Sequence, residues 1–426
     1  MHEKKIDAFV SRLNNLVASM QSPEHLKLID EHRTKRIVHD NKVLHLSEVT
    51  KPDFDDLLKK MHSEGDWNRR FSERTVRNEV FGAILAVLDG ADSKAYVLAM
   101  ASRIDGWHPR HRVLVPLSGV MLGAEVNIEF GRVALLQMNE ELFATEISGR
   151  LPPEVAIYSG DGLFVFGVDV QEDLDKTALY AEYTVETDAR KAAELADEYV
   201  APVADYLQFC VAIINGARHT CLVDYKGRYL RKNVSPVVIS NEDAGTASLD
   251  SIDDERYVRM GITHASFALL QRCGIVEIAR LFGLPDIAAE DEYTQLIYRA
   301  IRVFAEGERS TSPRQKILSY VTACELFFSQ KYETTRAVTE GVAFALGADY
   351  DARKVVREAL IKMYEARSSA THEGFEPDNV ALYRRQVLKV LLQMIRMKRL
   401  EPEKFRAKAD LTAWIDRQRL SGPPVG

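Results

Sequence analysis

Arg367 and His372 stand five positions apart in YEARSSATHEG, residues 364–374. Those two side chains suffice in principle to cut RNA without a metal. Arginine presents a fixed fork of donors to a phosphate, and histidine exchanges a proton near neutral pH. The bare spacing recurs at Arg103/His108 and Arg259/His264. Chance in a chain of this composition predicts about one occurrence, so context must decide. RIDGWHPRH, around the first copy, reads as a turn between strands. RMGITHASFALL, around the second, leads toward a helix with no stop behind it. The third copy continues a helical stripe of Val356, Leu360 and Met363 and is followed by Gly374, an expected helix end. Five residues turn a helix by about 500°, which leaves the pair about 140° apart on an undistorted helix. Convergence on one phosphate then requires the helix to end or tighten there, or two copies to face each other. An arginine and a histidine near a helix C-terminus are also favourable against its dipole with no function at all.

The neighbourhood is basic. Residues 353–399 hold eleven Lys/Arg against five acids, in a chain whose net charge is −7. Within it Arg384, Arg385 and Lys389 are candidate RNA contacts through phosphates, although a charge run is commonly only a solvated helix face. Glu325, in YVTACELFF, lies beside an apolar stripe. A half-buried carboxylate there needs a partner, and Arg367 is the expected one.

Composition narrows the classes. With 46% hydrophobic and 28% charged residues, the 426-residue chain reads as two or three globular domains. No apolar run approaches the roughly 18 residues that span a bilayer, so no membrane association is expected. Cys210, Cys221, Cys273 and Cys324 are scattered and contain no Cys-x-x-Cys pair. That argues against a zinc site or a disulfide framework and fits a cytoplasmic location. HPRH at 108–111 is poorly spaced for a shared metal, and GDGLFVFG lacks the Lys-Ser/Thr of a phosphate loop. No metal and no cofactor are expected.

The elements that must position the pair divide the chain into an α+β fold. Residues 1–75 are polar and helix-leaning, with Ile6, Phe9, Leu13, Leu16 and Met20 at helical spacing. Residues 76–240 are strand-rich. VLVPLSGV, EVNIEFG, RVALLQM and the two arms around SGDG read as strands. FGAILAVLDGADSKAYVLAMA fits a hairpin at Asp89-Gly90 or a helix pair, the hairpin being preferred, and CLVDYKGRYLRK fits another hairpin at Lys226-Gly227. Residues 188–215 read as helix interrupted near Pro202. Residues 241–255 are acidic and small, the composition of a linker. Residues 256–426 are helical, with four successive stripes that predict an up-and-down bundle. The stripes are Ile317/Val321/Cys324/Phe328, Val338/Val342/Ala345, Val356/Leu360/Met363 and Val380/Val387/Leu391/Ile395.

The order of a helix bearing TACELFF, a spacer helix, VREALIKMYEARSSATHEG and a basic closing helix resembles the HEPN superfamily, in particular its Apea-like branch. The resemblance covers about residues 295–399; the strand-rich region before it is similar to the corresponding part of Apea-like proteins more loosely. It implies an all-α domain that dimerises so that two Arg/His motifs share one cleft, and a metal-independent endoribonuclease of the prokaryotic antiphage or toxin type. In that reading His372 is the general acid/base, Arg367 stabilises the transition-state phosphate, and Glu325, Ser368 and Tyr364 support them. Active members often carry Asn, Asp or His directly after the arginine, where this chain has Ser368, and Glu373 sits beside the histidine. RNA is the expected partner, a homodimer through the C-terminal domain the expected assembly, and the N-terminal region the expected receiver of a phage-derived or cellular trigger. The alternative is a non-catalytic HEPN-type dimerisation or nucleotide/RNA-binding module with a regulatory N-terminal domain.

Overall fold

A computed structural model describes residues 3–30, 34–39, 42–63, 67–148, 156–159, 162–165, 178–216, 221–225, 232–234, 237–240, 249–251, 259–372, 377 and 379–420. The fold is mixed α+β with a helical C-terminal region. Two compact units share the chain. The first comprises Met1–Val113, Thr184–Leu195 and Val238–Ala244; the second comprises Leu114–Tyr183, Ala196–Val237 and Gly245–Gly426. Among the described residues, no helix is long and apolar enough to cross a membrane.

The first unit begins with α1 (Glu3–Met20) and α2 (Pro23–Asp30), followed by the β1 (Thr34–His39) and β2 (Lys42–Ser47) hairpin in antiparallel register. Helices α3 (Lys51–His62), α4 (Trp67–Arg70), α5 (Glu73–Leu88) and α6 (Ser93–Gly106) complete its body. The expected α1 stripe is buried in full, from Ile6 to Met20, against Phe54, Leu57, Val80, Ile84 and Met100. Residues 1–75 therefore supply a core, and residues 73–106 belong with them.

The preferred hairpin at Asp89-Gly90 is not formed: the segment is the helix pair α5–α6. Local chemistry explains the choice. Ser72 caps α5 by accepting from the Thr75 amide, and Asp92 caps α6 by accepting from the Ala95 amide at 2.6 Å. Asp89-Gly90 thus closes one helix ahead of the cap of the next.

The remaining strands are β3 (Arg110–Leu117), β4 (Val120–Leu122), β5 (Ala134–Gln137), β6 (Ala156–Ser159) and β7 (Gly162–Val165). After them come β8 (Leu179–Glu186), β9 (Lys232–Val234), β10 (Val237–Ser240), β11 (Leu249–Ser251) and β12 (Met260–Ile262). In the second unit Leu179–Glu182 of β8 pair antiparallel with β5. β6 pairs with β7 across the SGDG segment, as expected, and β12 lies parallel to β4. EVNIEFG forms no strand beyond an isolated bridge between Phe130 and Val133. The Lys226-Gly227 turn lies outside the described residues, as does the expected linker apart from β11.

Short helix α7 (Glu140–Phe143) precedes β6, and α8 (Ala189–Glu194) and α9 (Ala196–Asn215) follow β8. The break falls between α8 and α9 at Leu195. Pro202 sits inside α9 and is buried. Helix α9 buries nearly every residue from Val200 to Ala212, so packing holds it through a proline that removes one backbone donor.

Helices α10 (His264–Arg272), α11 (Glu292–Arg309), α12 (Pro313–Phe328), α13 (Thr334–Leu346), α14 (Tyr350–His372), α15 (Val380–Leu400) and α16 (Lys408–Leu420) fill the rest. All four expected stripes are largely buried: Ile317, Val321, Cys324 and Phe328 on α12; Val338, Val342 and Ala345 on α13; Leu360 and Met363 on α14; Val387, Leu391 and Ile395 on α15. Tyr293 at the start of α11 meets Phe327 at the end of α12 and Met394 on α15, while Glu308 at the other end meets Tyr320 and Arg384. Helix α11 thus runs opposite to both α12 and α15. Gly307 permits the approach of α11 to α12, since a Cβ there would lie 2.7 Å from the Ser319 Cβ.

Candidate functional site

Helix α14 carries the Arg/His pair, and its start is well fixed. The Asp349 side chain accepts from the Ala352 amide at 2.8 Å. Arg353 donates to the Gly347 carbonyl at 3.1 Å and lies 4.5 Å over the Phe344 ring. From Tyr350 the helix is continuous to His372, its last residue. The two positions therefore keep the helical offset of about 140°.

Leu360, Met363 and Ala370 on α14 are buried, and Arg367 shares their side of the helix. Its Nε atom is buried with no hydrogen-bond partner among the described residues. The expected ion pair between Glu325 and Arg367 is absent among the described residues. Tyr364 takes the carboxylate instead, donating its hydroxyl to Glu325 Oε1 at 3.1 Å. Tyr364 lies one turn before Arg367 and presents its hydroxyl on a rigid ring. Burial, and then the Glu325 charge, push the Tyr364 hydroxyl above its ordinary range, so it remains a donor at physiological pH. Ser368 is exposed. Arg314 of α12 reaches the Thr371 carbonyl at 3.4 Å, placing a cation at the C-terminal end of α14. The His372 side chain, Glu373 and Gly374 lie outside the described residues.

The other two copies of the spacing have different settings. Arg103 lies in α6, and the chain leaves the helix before His108. Arg259 precedes β12, whereas His264 opens α10 beyond it. Neither pair shares an element.

Arg384 is corrected from RNA contact to core residue. It is 2% exposed, as is Glu308. Arg384 Nε donates to Glu308 Oε2 at 2.7 Å, and Nη2 reaches the Ala212 carbonyl at 3.4 Å. Tyr320 donates to the other Glu308 oxygen. The tyrosine is held above its ordinary range by burial first and by the carboxylate second. Burial lowers the Lys316 pKa, with Arg384 acting in the same direction and Glu308 against it. The apolar residues flanking Arg384 in sequence gave no unique sign of this, because Arg385 beside it faces water.

A second charged cluster joins α9 to α11. Asp205 accepts from Arg302 Nε at 2.9 Å and from Arg309, and Arg309 Nε also donates to the Val223 carbonyl at 2.7 Å. These groups border a cavity of about 540 Å³. Its carboxylates and guanidiniums are of mixed sign, so it presents no uniform charge to a ligand.

Arg385 and Lys389 remain exposed on α15, and neither has an ion-pair or hydrogen-bond partner among the described residues. Lys389 opens into a groove of about 650 Å³ together with Arg396 and Arg399 of the same helix and Arg272 at the end of α10. Gly274, at φ +73°, makes room for Arg399: a Cβ there would stand 2.9 Å from the arginine Cδ. Sequence reasoning missed Arg272 because it lies more than a hundred positions from Lys389, in a segment with no basic run.

Comparison with family models, with curated proteins and with solved structures finds no match for this chain.

Proposed function

We propose that the helical C-terminal region is a metal-independent endoribonuclease of the antiphage or toxin type, acting in the cytoplasm as a homodimer of HEPN-like domains. The observation that carries this reading is the state of Arg367. Its Nε is buried without a partner among the described residues, and Glu325, the acid expected to pair with it, accepts from Tyr364. With no ion pair among the described residues, its terminal nitrogens are the donors left for a phosphate oxygen. In the proposed step, His372 takes the proton of a ribose 2′-OH as that oxygen bonds to the adjacent phosphorus, or protonates the 5′-oxygen as the P–O5′ bond breaks. The products are a 2′,3′-cyclic phosphate and a 5′-hydroxyl. Arg367 stabilises the charge that gathers on the phosphate between those events.

A second reading is favoured by the unbroken course of α14. With the pair about 140° apart on one helix, a chain acting alone does not bring both side chains to one phosphate. The pair is then structural in a non-catalytic dimerisation or binding module. Cleavage of single-stranded RNA in EDTA by wild type, Arg367→Ala and His372→Ala separates the readings. The nuclease reading expects both variants to lose about a hundredfold or more. Retained cleavage in both ends it.

A further inference from the structure

We propose that the cavity between α9 and α11 binds a small linear zwitterion of the dipeptide class, with its carboxylate at Arg299 and its ammonium at Glu306. The site lies on other helices than Arg367 and His372 and does not rest on their chemistry.

The charges of this cavity do not simply cancel. Arg299 and Glu306 both border it and are both exposed. The Glu306 side chain has no ion-pair or hydrogen-bond partner among the described residues. Helical spacing offers it two, since Arg302 stands four residues before it and Arg309 three after. Both arginines are instead committed to Asp205 of α9. Arg299 likewise has no acid among the described residues, only the Gln295 amide oxygen at 3.2 Å. The other acids of the cavity are occupied: Asp197 accepts from the Tyr225 hydroxyl at 2.8 Å, and Asp224 from the Tyr225 amide at 2.9 Å. One uncommitted cation and one uncommitted anion are left, and a ligand carrying both signs answers them together.

Helix geometry sets the length of that ligand. Arg299 and Glu306 are seven positions apart on the continuous α11. They are separated by about 10.5 Å of rise and lie within about 20° of the same face. That spacing exceeds the three or four positions at which helical side chains pair directly, and it leaves room for a ligand between them. Two extended residues span about 7 Å, and a charge-assisted hydrogen bond adds about 2.8 Å at each end. The sum of about 12–13 Å is met when two long side chains lean slightly apart. Val303 stands between the pair on α11, and Ala201 and Tyr298 border the same space, giving short side chains an apolar surface. Arg309 also borders it, and its Nη2 is a buried donor without a partner among the described residues. The amide carbonyl of a dipeptide is the kind of acceptor that donor lacks. The volume of about 540 Å³ lies within the usual range for small-molecule sites.

Calorimetric titration of the full chain with L-Ala-L-Ala, L-Ala-L-Phe, the N-acetyl and C-amide forms of each, and L-alanine tests the assignment. The expected result is saturable binding of at least one free dipeptide, weakened about tenfold or more by either cap. Glu306→Gln and Arg299→Gln, both at exposed positions, each weaken the free dipeptide about tenfold or more with an unchanged melting temperature. The two variants also report which end each residue holds. Glu306→Gln leaves the affinity for the acetylated form as in wild type, and Arg299→Gln leaves that for the amide as in wild type. Four outcomes overturn the proposal: no saturable binding of either free dipeptide by wild type; a capped form binding as tightly as the free one; L-alanine binding as tightly as the dipeptides; or both variants binding like wild type.

Discussion

The Tyr364 hydroxyl donates to Glu325 Oε1 at 3.1 Å, and one turn later on the same helix Arg367 has no acid partner among the described residues. Tyr364→Phe removes the donor while keeping the ring. The expected cost is about 1 kcal/mol of stability, read from urea unfolding. Glu325 then becomes available to Arg367, so RNA cleavage falls as well, though less than in Arg367→Ala. A Tyr364→Phe variant with unchanged cleavage would show that the tyrosine does not keep Glu325 away from the arginine.

Glu308 and Arg384 form a buried pair at the junction of α9, α11, α12 and α15. Arg384→Ala leaves a carboxylate buried beside Tyr320 without its cation, at an expected cost of about 3–5 kcal/mol. The double variant Glu308→Gln/Arg384→Met removes both charges and is expected to recover a large part of that loss. Urea unfolding of the two variants measures the difference. If Arg384→Ala unfolds like wild type, the pair contributes nothing to the bundle. Any RNA-binding defect in Arg384→Ala should follow its loss of structure, since the guanidinium does not reach the surface.

His25 supplies a pH dependence in the first unit. Its Nδ1 lies 2.8 Å from Ser47 Oγ, and burial, followed by His45, lowers its pKa below 6.5. The unfolded chain then binds the proton more readily than the folded chain. The stabilising contribution is complete above about pH 6.5 and is lost as pH falls from there through the lower folded-state value. His25→Gln should flatten that part of a melting-temperature profile between about pH 7 and pH 5. A wild-type profile that rises on acidification over the same interval contradicts the assignment.

The C-terminal helices were legible because each buries one continuous stripe of its own residues: Ile317 to Phe328 on α12 and Val387 to Ile395 on α15 record a 3.6-residue period directly. The segment around Asp89-Gly90 was not, because Asp-Gly serves a hairpin turn and a helix end equally well, and the deciding caps at Ser72 and Asp92 lie outside the dipeptide. At the candidate site, the helix and the inward aim of Arg367 followed from periodicity. The exchange of partners at Glu325 did not, since it depends on which of two side chains on a neighbouring helix reaches an oxygen first. Arg384 and Arg385 show the same limit: adjacent and identical in sequence, one is buried on Glu308 and the other faces water. Helical phase separates them by about 100°, and only the packed bundle says which direction is the core.

The continuous α14 gives the sharpest test of how a cleavage site is assembled. With positions 367 and 372 about 140° apart on one helix, a site needing both side chains draws one from each of two copies. Arg367→Ala and His372→Ala are each expected to be inactive alone. When they are mixed and allowed to exchange subunits, half of the dimers are mixed. In each mixed dimer one site pairs an intact arginine with an intact histidine, while the other has lost both. The expected recovery is about a quarter of wild-type cleavage, half of the sites in half of the dimers. A double Arg367→Ala/His372→Ala chain mixed with wild type serves as the control: each mixed site then lacks one partner, and only wild-type homodimers act. Because that control also leaves about a quarter of the activity, the decisive contrast is with each single variant alone. Recovery on mixing, from two inactive preparations, assigns arginine and histidine to opposite copies. No recovery after demonstrated exchange removes that division of labour.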